Sequence, residues 1–253
     1  MHSGLVLTNH VFGDMSLRFS FRLSDAASEG RVIVHTLIRA ADNFRPVDIG
    51  YAVALTSESQ GVRALGRVSS LGSRMAERVF EPIATKGIAT DFHTCEVRTE
   101  YMTLRVFIDG QLVSEVTDRN QFGGYVGFEA NKGRGIEIRD AQIARLPSYR
   151  EPFAEGVARL DQNGITLPRV LDRPSPFYAV EPMRRRITGV VSLEVVLDPA
   201  GKVGDVRVLK SLDTDLDESA IATVRRWRFS AATLNGVPVP VLISVDMSFS
   251  LTK

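Results

Sequence analysis

Several scarcities narrow this sequence before any motif is found. Cys95 is the only cysteine among 253 residues. An intrachain disulfide is therefore excluded, and so is a zinc site built on thiolates, which needs two or more at set spacing. The four histidines, His2, His10, His35 and His93, include no pair four residues apart, so the two-histidine helical metal motif is absent. Neither a metal nor another cofactor is expected. Charge of one sign is also lacking: 31 Lys and Arg stand against 30 Asp and Glu, a net charge of +1. Such a balance gives no drive toward nucleic acid or an anionic membrane. No run approaches the roughly 18 to 20 apolar residues of a spanning helix, and residues 1–13 lack the basic start and apolar stretch of an export signal.

What is present reads as two folded regions. An apolar fraction of 44% and a charged fraction of 24% lie near globular averages. Chains of this length commonly divide, because domains cluster near about 100–150 residues. Residues 1–147 show short β-branched or alternating runs broken by Gly, Asp and Asn, the spacing of an all-β sandwich. Candidate strands include 5–8, 16–23, 31–39, 51–56, 95–98, 102–108, 111–115, 125–130 and 136–144. In Arg105-Val-Phe-Ile-Asp-Gly-Gln-Leu-Val113 the Asp109-Gly110 pair supplies the positive φ values of a tight hairpin turn. Residues 148–182 are rich in proline, with Pro152, Pro168, Pro174, Pro176 and Pro182, and read as a linker holding a short helix over 153–161 that Asn163-Gly164 closes.

Residues 183–253 are strongly periodic. Gly189-Val-Val-Ser-Leu-Glu-Val-Val-Leu197 and Lys202-Val-Gly-Asp-Val-Arg-Val-Leu209 flank the turn Asp198-Pro-Ala-Gly201, so they read as an antiparallel pair. Val191, Leu193, Val195 and Leu197 share one face. Within residues 215–227, Leu216, Ala220, Val224 and Trp227 recur at helical steps, with acids at the start and Arg225, Arg226 and Arg228 after. A last strand over 237–251 alternates Val239, Val241, Ile243, Val245, Met247 and Phe249. The order is β-β-α-β. For an antiparallel sheet the last strand must pair with the first, which leaves its outer side a free edge that an extended peptide can join.

Chemistry is thinly represented. Glycoside hydrolysis needs two carboxylates at a fixed separation, and Glu96, Glu129 and Glu137 with Asp140 form no convincing pair. No nucleophile-elbow serine occurs, and Cys95 reads as a buried structural thiol. No catalytic residue is assigned. Gly123-Gly124 and Gly133-Arg-Gly135 are turn glycines, Arg184-Arg-Arg186 caps a helix, and Trp227 with Phe229 reads as core. His35, Arg39 and Tyr51 are the candidates for a glycan-lining cleft.

The ordered set Leu197-Asp-Pro-Ala-Gly-Lys-Val203, Val206-Arg-Val-Leu-Lys-Ser211, Leu216-Asp-Glu-Ser-Ala220, Val224-Arg-Arg-Trp-Arg-Phe229 and Asn235-Gly-Val-Pro-Val239 resembles the TonB carboxy-terminal domain family over about residues 165–251. Tyr178-Ala179 stands where members commonly carry Tyr-Pro. The resemblance implies a periplasmic or cell-envelope setting and an outer-membrane transporter or other envelope protein as partner. It further implies backbone pairing by the last strand, expected at Val239, Val241, Ile243 and Val245. An energy transducer of that family also needs an anchor and a long linker, so this chain is expected to be either a fragment or a module used for binding alone.

Residues 3–147 are similar, more faintly, to the 3-keto-disaccharide hydrolase-like, concanavalin A-like jelly rolls. The similarity is carried by Gly4-Leu-Val-Leu-Thr8, Gly50-Tyr-Ala-Val-Ala-Leu55, Leu104-Arg-Val-Phe-Ile-Asp-Gly110 and Ile138-Arg-Asp-Ala-Gln-Ile-Ala144. The expected fold is thus a jelly-roll sandwich followed by a small α+β TonB-like domain. Two functional readings remain open: an envelope protein-binding module whose jelly roll holds a glycan, and a sugar-processing hydrolase tethered by a TonB-like domain.

Overall fold

A computed structural model describes residues 4–23, 29–38, 46–47, 50–56, 62–68, 91–101, 103–117, 123–130, 136–151 and 153–251. The chain divides into two compact units, Met1–Leu146 and Pro147–Lys253. The first is a jelly-roll sandwich of two antiparallel sheets. Its strands are β1 (Gly4–Leu7), β2 (Met15–Leu23), β3 (Glu29–Ile38), β4 (Pro46–Val47), β5 (Gly50–Thr56), β6 (Val62–Val68), β7 (His93–Glu100), β8 (Thr103–Ile108), β9 (Gln111–Thr117), β10 (Tyr125–Ala130) and β11 (Ile136–Arg145). One sheet runs β1-β10-β3-β5-β6, with β4 beside β3, and the other runs β11-β2-β7-β8-β9.

Alternation builds this sandwich. In β2, Met15, Leu17, Phe19, Phe21 and Leu23 are buried while Arg18 and Arg22 face water. They meet Val32, Val34, Tyr51, Val53, Leu55 and Val126 of the other sheet in one core, the arrangement that buries one face of each sheet. Phe19 and Phe128 pack edge to face with centroids 5.0 Å apart. The β8–β9 turn takes the expected form, with Asp109 at φ 50° and Gly110 at φ 78°, both values of the hairpin turn that matches strand twist.

The second unit contains β12 (Ala158–Arg159), β13 (Ile165–Thr166), β14 (Val170–Asp172), α1 (Val180–Arg184), β15 (Gly189–Leu197), β16 (Val203–Lys210), α2 (Thr214–Val224), β17 (Arg228–Phe229), β18 (Thr233–Leu234), β19 (Val237–Pro238) and β20 (Val241–Phe249). Its main sheet runs β12-β20-β15-β16, and β13-β18-β19 and β14-β17 form two small ones. As the strand argument requires, β20 pairs antiparallel with β15, from Gly189↔Phe249 to Leu197↔Val241. Leu193, Leu197, Val206, Leu216, Ala220, Val224 and Trp227 are buried, which places α2 on the apolar sheet face. The Asp213 side chain accepts from the Asp215 N–H and caps α2, satisfying a helix-end donor.

The loop between β15 and β16 shows why glycine is needed at its end. The Asp198 carboxylate accepts from the N–H groups of Ala200 and Lys202 at 2.9 and 2.8 Å. Gly201 then sits at φ 75°, and a Cβ there would lie 2.2 Å from the Phe229 carbonyl oxygen. Only glycine combines left-handed backbone with that approach.

Two expectations are corrected here. Residues 148–182 are not a linker: β12, β13 and β14 pair with β20, β18 and β17. Of the described prolines there, Pro168, Pro174 and Pro176 stand outside the paired residues, where no ladder N–H is lost, and Pro182 lies in the first turn of α1. Residues 153–161 hold no helix. Ala154 at φ 57° and Gly156 at φ 70° turn the chain, the Val157 N–H closes that turn on the Ala154 carbonyl, and the Ala158 N–H then donates to Pro240 at a strand edge. Among the described residues, no helix is long and apolar enough to cross a membrane.

Candidate functional site

The candidate site is the outer side of β20. Val241, Ile243, Val245, Met247 and Phe249 are buried against the sheet's covered face, and Ser244, Asp246 and Ser248 are exposed on the other. Which backbone groups look outward is fixed by β12. It runs parallel to β20 with Ala158↔Val241 and Arg159↔Leu242, and the Ala158 N–H donates to the Pro240 carbonyl at 3.0 Å. Within a strand, the N–H and C=O of one residue point the same way and reverse at the next. With Pro240 facing β12, the outward groups downstream are those of Leu242, Ser244, Asp246 and Ser248.

This parity alters the expected contact residues. Val241, Ile243 and Val245 belong to the expected strand, but their backbone groups turn inward toward Leu197, Val195 and Leu193 of β15. Val239 precedes β20, and its N–H donates to the Ala232 carbonyl at 3.1 Å. The edge is also shorter than the sequence implies, because β12 covers Val241 and Leu242. Beyond them, no described strand pairs with the outer side of residues 243–249.

A strap from the start of the unit frames the same sheet. Ser148 closes the opposite edge: its carbonyl accepts from the Val206 N–H at 3.1 Å, and its hydroxyl donates to the Val206 carbonyl at 2.9 Å. Phe153 lies under the Arg207 guanidinium, 4.3 Å from the ring centroid. Arg207 in turn donates to Glu194 at 2.5 Å. Near the far end of β20, the Tyr178 ring meets Phe249 edge to face with centroids 5.6 Å apart, and its hydroxyl donates to the Ile187 carbonyl. Ala179, the residue in place of proline, is buried and precedes α1. Trp227 is core as read, with its indole N–H donating to the Pro174 carbonyl at 3.0 Å.

Of the three glycan-lining residues expected in the first unit, Tyr51 alone has a described side chain. Tyr51 points into the sandwich core and is only 3% exposed, so it lines no surface cleft. His35 is described only by its place in β3, and Arg39 falls outside the described residues. The signal was the alternation of Tyr51 with Val53 and Leu55, which marks one buried strand face. An apolar cleft of about 220 Å³ lies between β1, β10, β2 and β11, lined by Val6, Leu7, Leu17, Val126, Phe128 and Ile143 among others. Its walls offer few partners to a hydroxylated ligand.

The outer face of the five-stranded sheet is polar instead. Ser16 donates to Glu96 at 3.0 Å and Arg98 donates to the same carboxylate oxygen at 2.7 Å. Arg98 also stands over the half-buried Phe107 ring at 5.9 Å. Arg105 bonds Glu115 at 2.6 Å, and Glu137 is held by Arg22 and Arg139 at 2.5 Å each. Burial pushes the Glu96 carboxyl up, but the hydrogen bonds from Arg98 and Ser16 outweigh it and hold it below the usual range. Hydrogen bonds from Arg139 and Arg22 lower Glu137 likewise. Neither is poised to donate a proton at neutral pH, as a glycosidase acid must be. The buried Cys95 thiol is pushed up, first by burial and then by Glu96 and Asp109, which leaves it unreactive. No cluster of three metal-binding side chains occurs among the described residues.

Similar proteins divide along the same line. A carbohydrate-binding module from Bacillus subtilis superposes with a TM-score of 0.45 at 13% identity, over 56% of this chain and 81% of that one. A galectin from Caenorhabditis elegans gives 0.42 at 14%, over 57% and 92%. Protein TonB of Vibrio cholerae is 35% identical over 97 residues, which is 35% of this chain and 40% of that protein. Protein TonB of Xanthomonas campestris pv. campestris is 36% identical over 77 residues, 30% and 34%. The chain thus spans well under half the length of these two relatives. Residues 174–251, which hold β15, β16 and β20 of the main sheet and the helix α2, match the family described as Gram-negative bacterial TonB protein C-terminal.

Proposed function

We propose that this chain is a protein-binding module of the bacterial envelope whose second unit takes up an extended segment of an outer-membrane transporter or other envelope protein along β20. The observation that carries this reading is the open stretch beyond β12, with apolar side chains buried beneath it and the backbone groups of Ser244, Asp246 and Ser248 turned outward. An open edge on a well-packed strand is a template for strand addition. Family likeness over residues 174–251 supports the same reading.

The parity of β20 selects the test. Proline at Val241 would remove a bond inside the sheet, whereas Ser244→Pro removes only an outward N–H, the position where an edge strand tolerates proline. A photo-crosslinking side chain at Ser248 of the full chain, mixed with envelope extract, is expected to mark an extended segment of an envelope protein. Ser244→Pro, folded by circular dichroism, is expected to abolish that product. An undiminished crosslink in the proline variant refutes strand addition.

The first unit is assigned glycan holding within the same reading. The outer face of its five-stranded sheet supports this with Phe107 beneath Arg98, flanked by Ser16 and Glu96. Because arginines hold Glu96 and Glu137 ionised, binding is favoured over hydrolysis. Titration of the full chain with a panel of envelope oligosaccharides is expected to show binding that Phe107→Ala weakens. Saturable binding unchanged in that variant places the sugar elsewhere.

A further inference from the structure

We infer that the segment received by β20 is short and carries a basic side chain directly opposite Asp246. This inference rests on the strand-addition reading and specifies its partner. Length follows from the neighbours. With Val241 and Leu242 already paired to β12 and the strand ending at Phe249, the outward groups left are those of Ser244, Asp246 and Ser248. These three residues span five positions, and with one flanking residue at each end they engage a partner strand of about seven residues.

Charge follows from the exposed face of the same residues. Ser244 and Ser248 carry short neutral side chains, so Asp246 is the one charge among the exposed β20 positions. On its inner side it faces Ser192 of β15, which cannot neutralise it. The nearest acid on that face, Glu194 opposite Ser244, is already engaged by Arg207. Lys210 faces Ser192 from β16, two strand spacings from Asp246, or about 9–10 Å in the pairing direction. Among the described residues Asp246 makes no ion pair.

An added strand changes that position more than any other. It brings one side chain to within about 4.5–5.5 Å of Asp246, Cβ to Cβ. It also removes water from one side of the carboxylate, a loss that a neutral neighbour does not restore. Lys or Arg there gains a cross-strand ion pair, whereas Asp or Glu meets a like charge directly opposite. The edge thus selects by repelling acidic segments as well as by holding basic ones. The serines on either side impose no steric demand, so selection concentrates at this one register position.

The test uses the full chain and three acetylated, amidated heptapeptides, Val-Thr-Val-X-Val-Thr-Val with X as Lys, Gln or Glu. Peptide titrations would be followed by chemical shifts and hydrogen exchange of the Ser244, Asp246 and Ser248 amides. The Lys peptide is expected to bind about three- to tenfold tighter than the Glu peptide, the span of one favourable against one unfavourable cross-strand pair. Asp246→Lys is expected to reverse that order, with Gln between the two in either protein. Equal binding of all three peptides, with those amides protected, overturns the charge preference and leaves strand addition standing. If none of the peptides protects those amides at millimolar concentration, both readings fall together.

Discussion

The exposed sheet faces of the two units treat charge differently. On the first unit, Glu96 is answered by Arg98, Glu115 by Arg105, and Glu137 by both Arg22 and Arg139. On the second, Glu194 is answered by Arg207, but among the described residues no cation answers Asp246 on the outermost long strand. Glu96 and Glu194 lie on interior strands, but Glu115 and Glu137 lie on the edge strands β9 and β11, so an edge position alone does not leave a charge unanswered. An edge strand has one neighbour, so an unanswered charge there is available to whatever comes alongside. The lesson is that unmet valence, in backbone and side chain together, distinguishes a receptive edge from a merely polar surface.

The sharpest contrast lies within one sheet. Leu193→Ala empties a fully buried site in β15 and is expected to cost about 2–5 kcal/mol in urea unfolding. Asp246→Ala, on the opposite face of the neighbouring strand, is expected to stay within about 0.5 kcal/mol. A loss at Asp246 approaching that at Leu193 would mean the carboxylate has an internal role, and the contrast between answered and unanswered charge would collapse.

Next in size is Gly201→Ala. Left-handed backbone alone costs a non-glycine residue about 1–2 kcal/mol, and the Cβ would also strike the Phe229 carbonyl. The second unit is expected to lose at least that much, with Gly110→Ala as the comparison. Gly110 has a similar φ of 78° but nothing within 4 Å of a Cβ. Equal losses at the two glycines would show that the Phe229 approach is relieved without cost.

Much of this architecture was legible in sequence. The steps of Leu216, Ala220, Val224 and Trp227 and the alternation of Val191 through Leu197 specify a helix on a sheet, and topology then dictates the order β16-β15-β20. What sequence could not reveal is β12. Ala158 and Arg159 carry no strand pattern, and they are held by backbone bonds at the Pro240 end of β20. Without them the free edge looks longer, and the parity of its outward groups is undetermined. Side-chain alternation reports which face is buried, a direction perpendicular to the hydrogen bonds. That is why Val241, Ile243 and Val245 were expected to make contacts that the strand geometry gives to even-numbered residues. Tyr51 misled for a related reason: its phenol suggested a surface role, while its period with Val53 and Leu55 placed it in the core.

The answered charges of the first unit also make an acid-linked prediction. Hydrogen bonds lower Glu96 and Asp109 in the folded state despite some burial. A depressed carboxyl contributes stability that is fully present above its unfolded value and is lost as pH falls through its folded one. Thermal stability is therefore expected to fall progressively below about pH 4.5, the ordinary glutamate value, and Glu96→Gln is expected to flatten that decline. An identical acid profile in the variant would mean that Glu96 gains nothing from Arg98 and Ser16.

The smallest effect tests whether these surface pairs matter individually. Arg105 and Glu115 approach to 2.6 Å, with side chains 33% and 47% exposed. Exposed pairs commonly couple by only about 0.2–1 kcal/mol, because solvent screens them and ordering two long side chains costs entropy. A double-mutant cycle with Arg105→Ala and Glu115→Ala is expected to fall in that range and to shrink in high salt. If the coupling vanishes even at low salt, the arginines of the first unit serve to keep its outer face from presenting bare carboxylates, not to stabilise it. Its contrast with Asp246 would then be one of recognition rather than of folding energy.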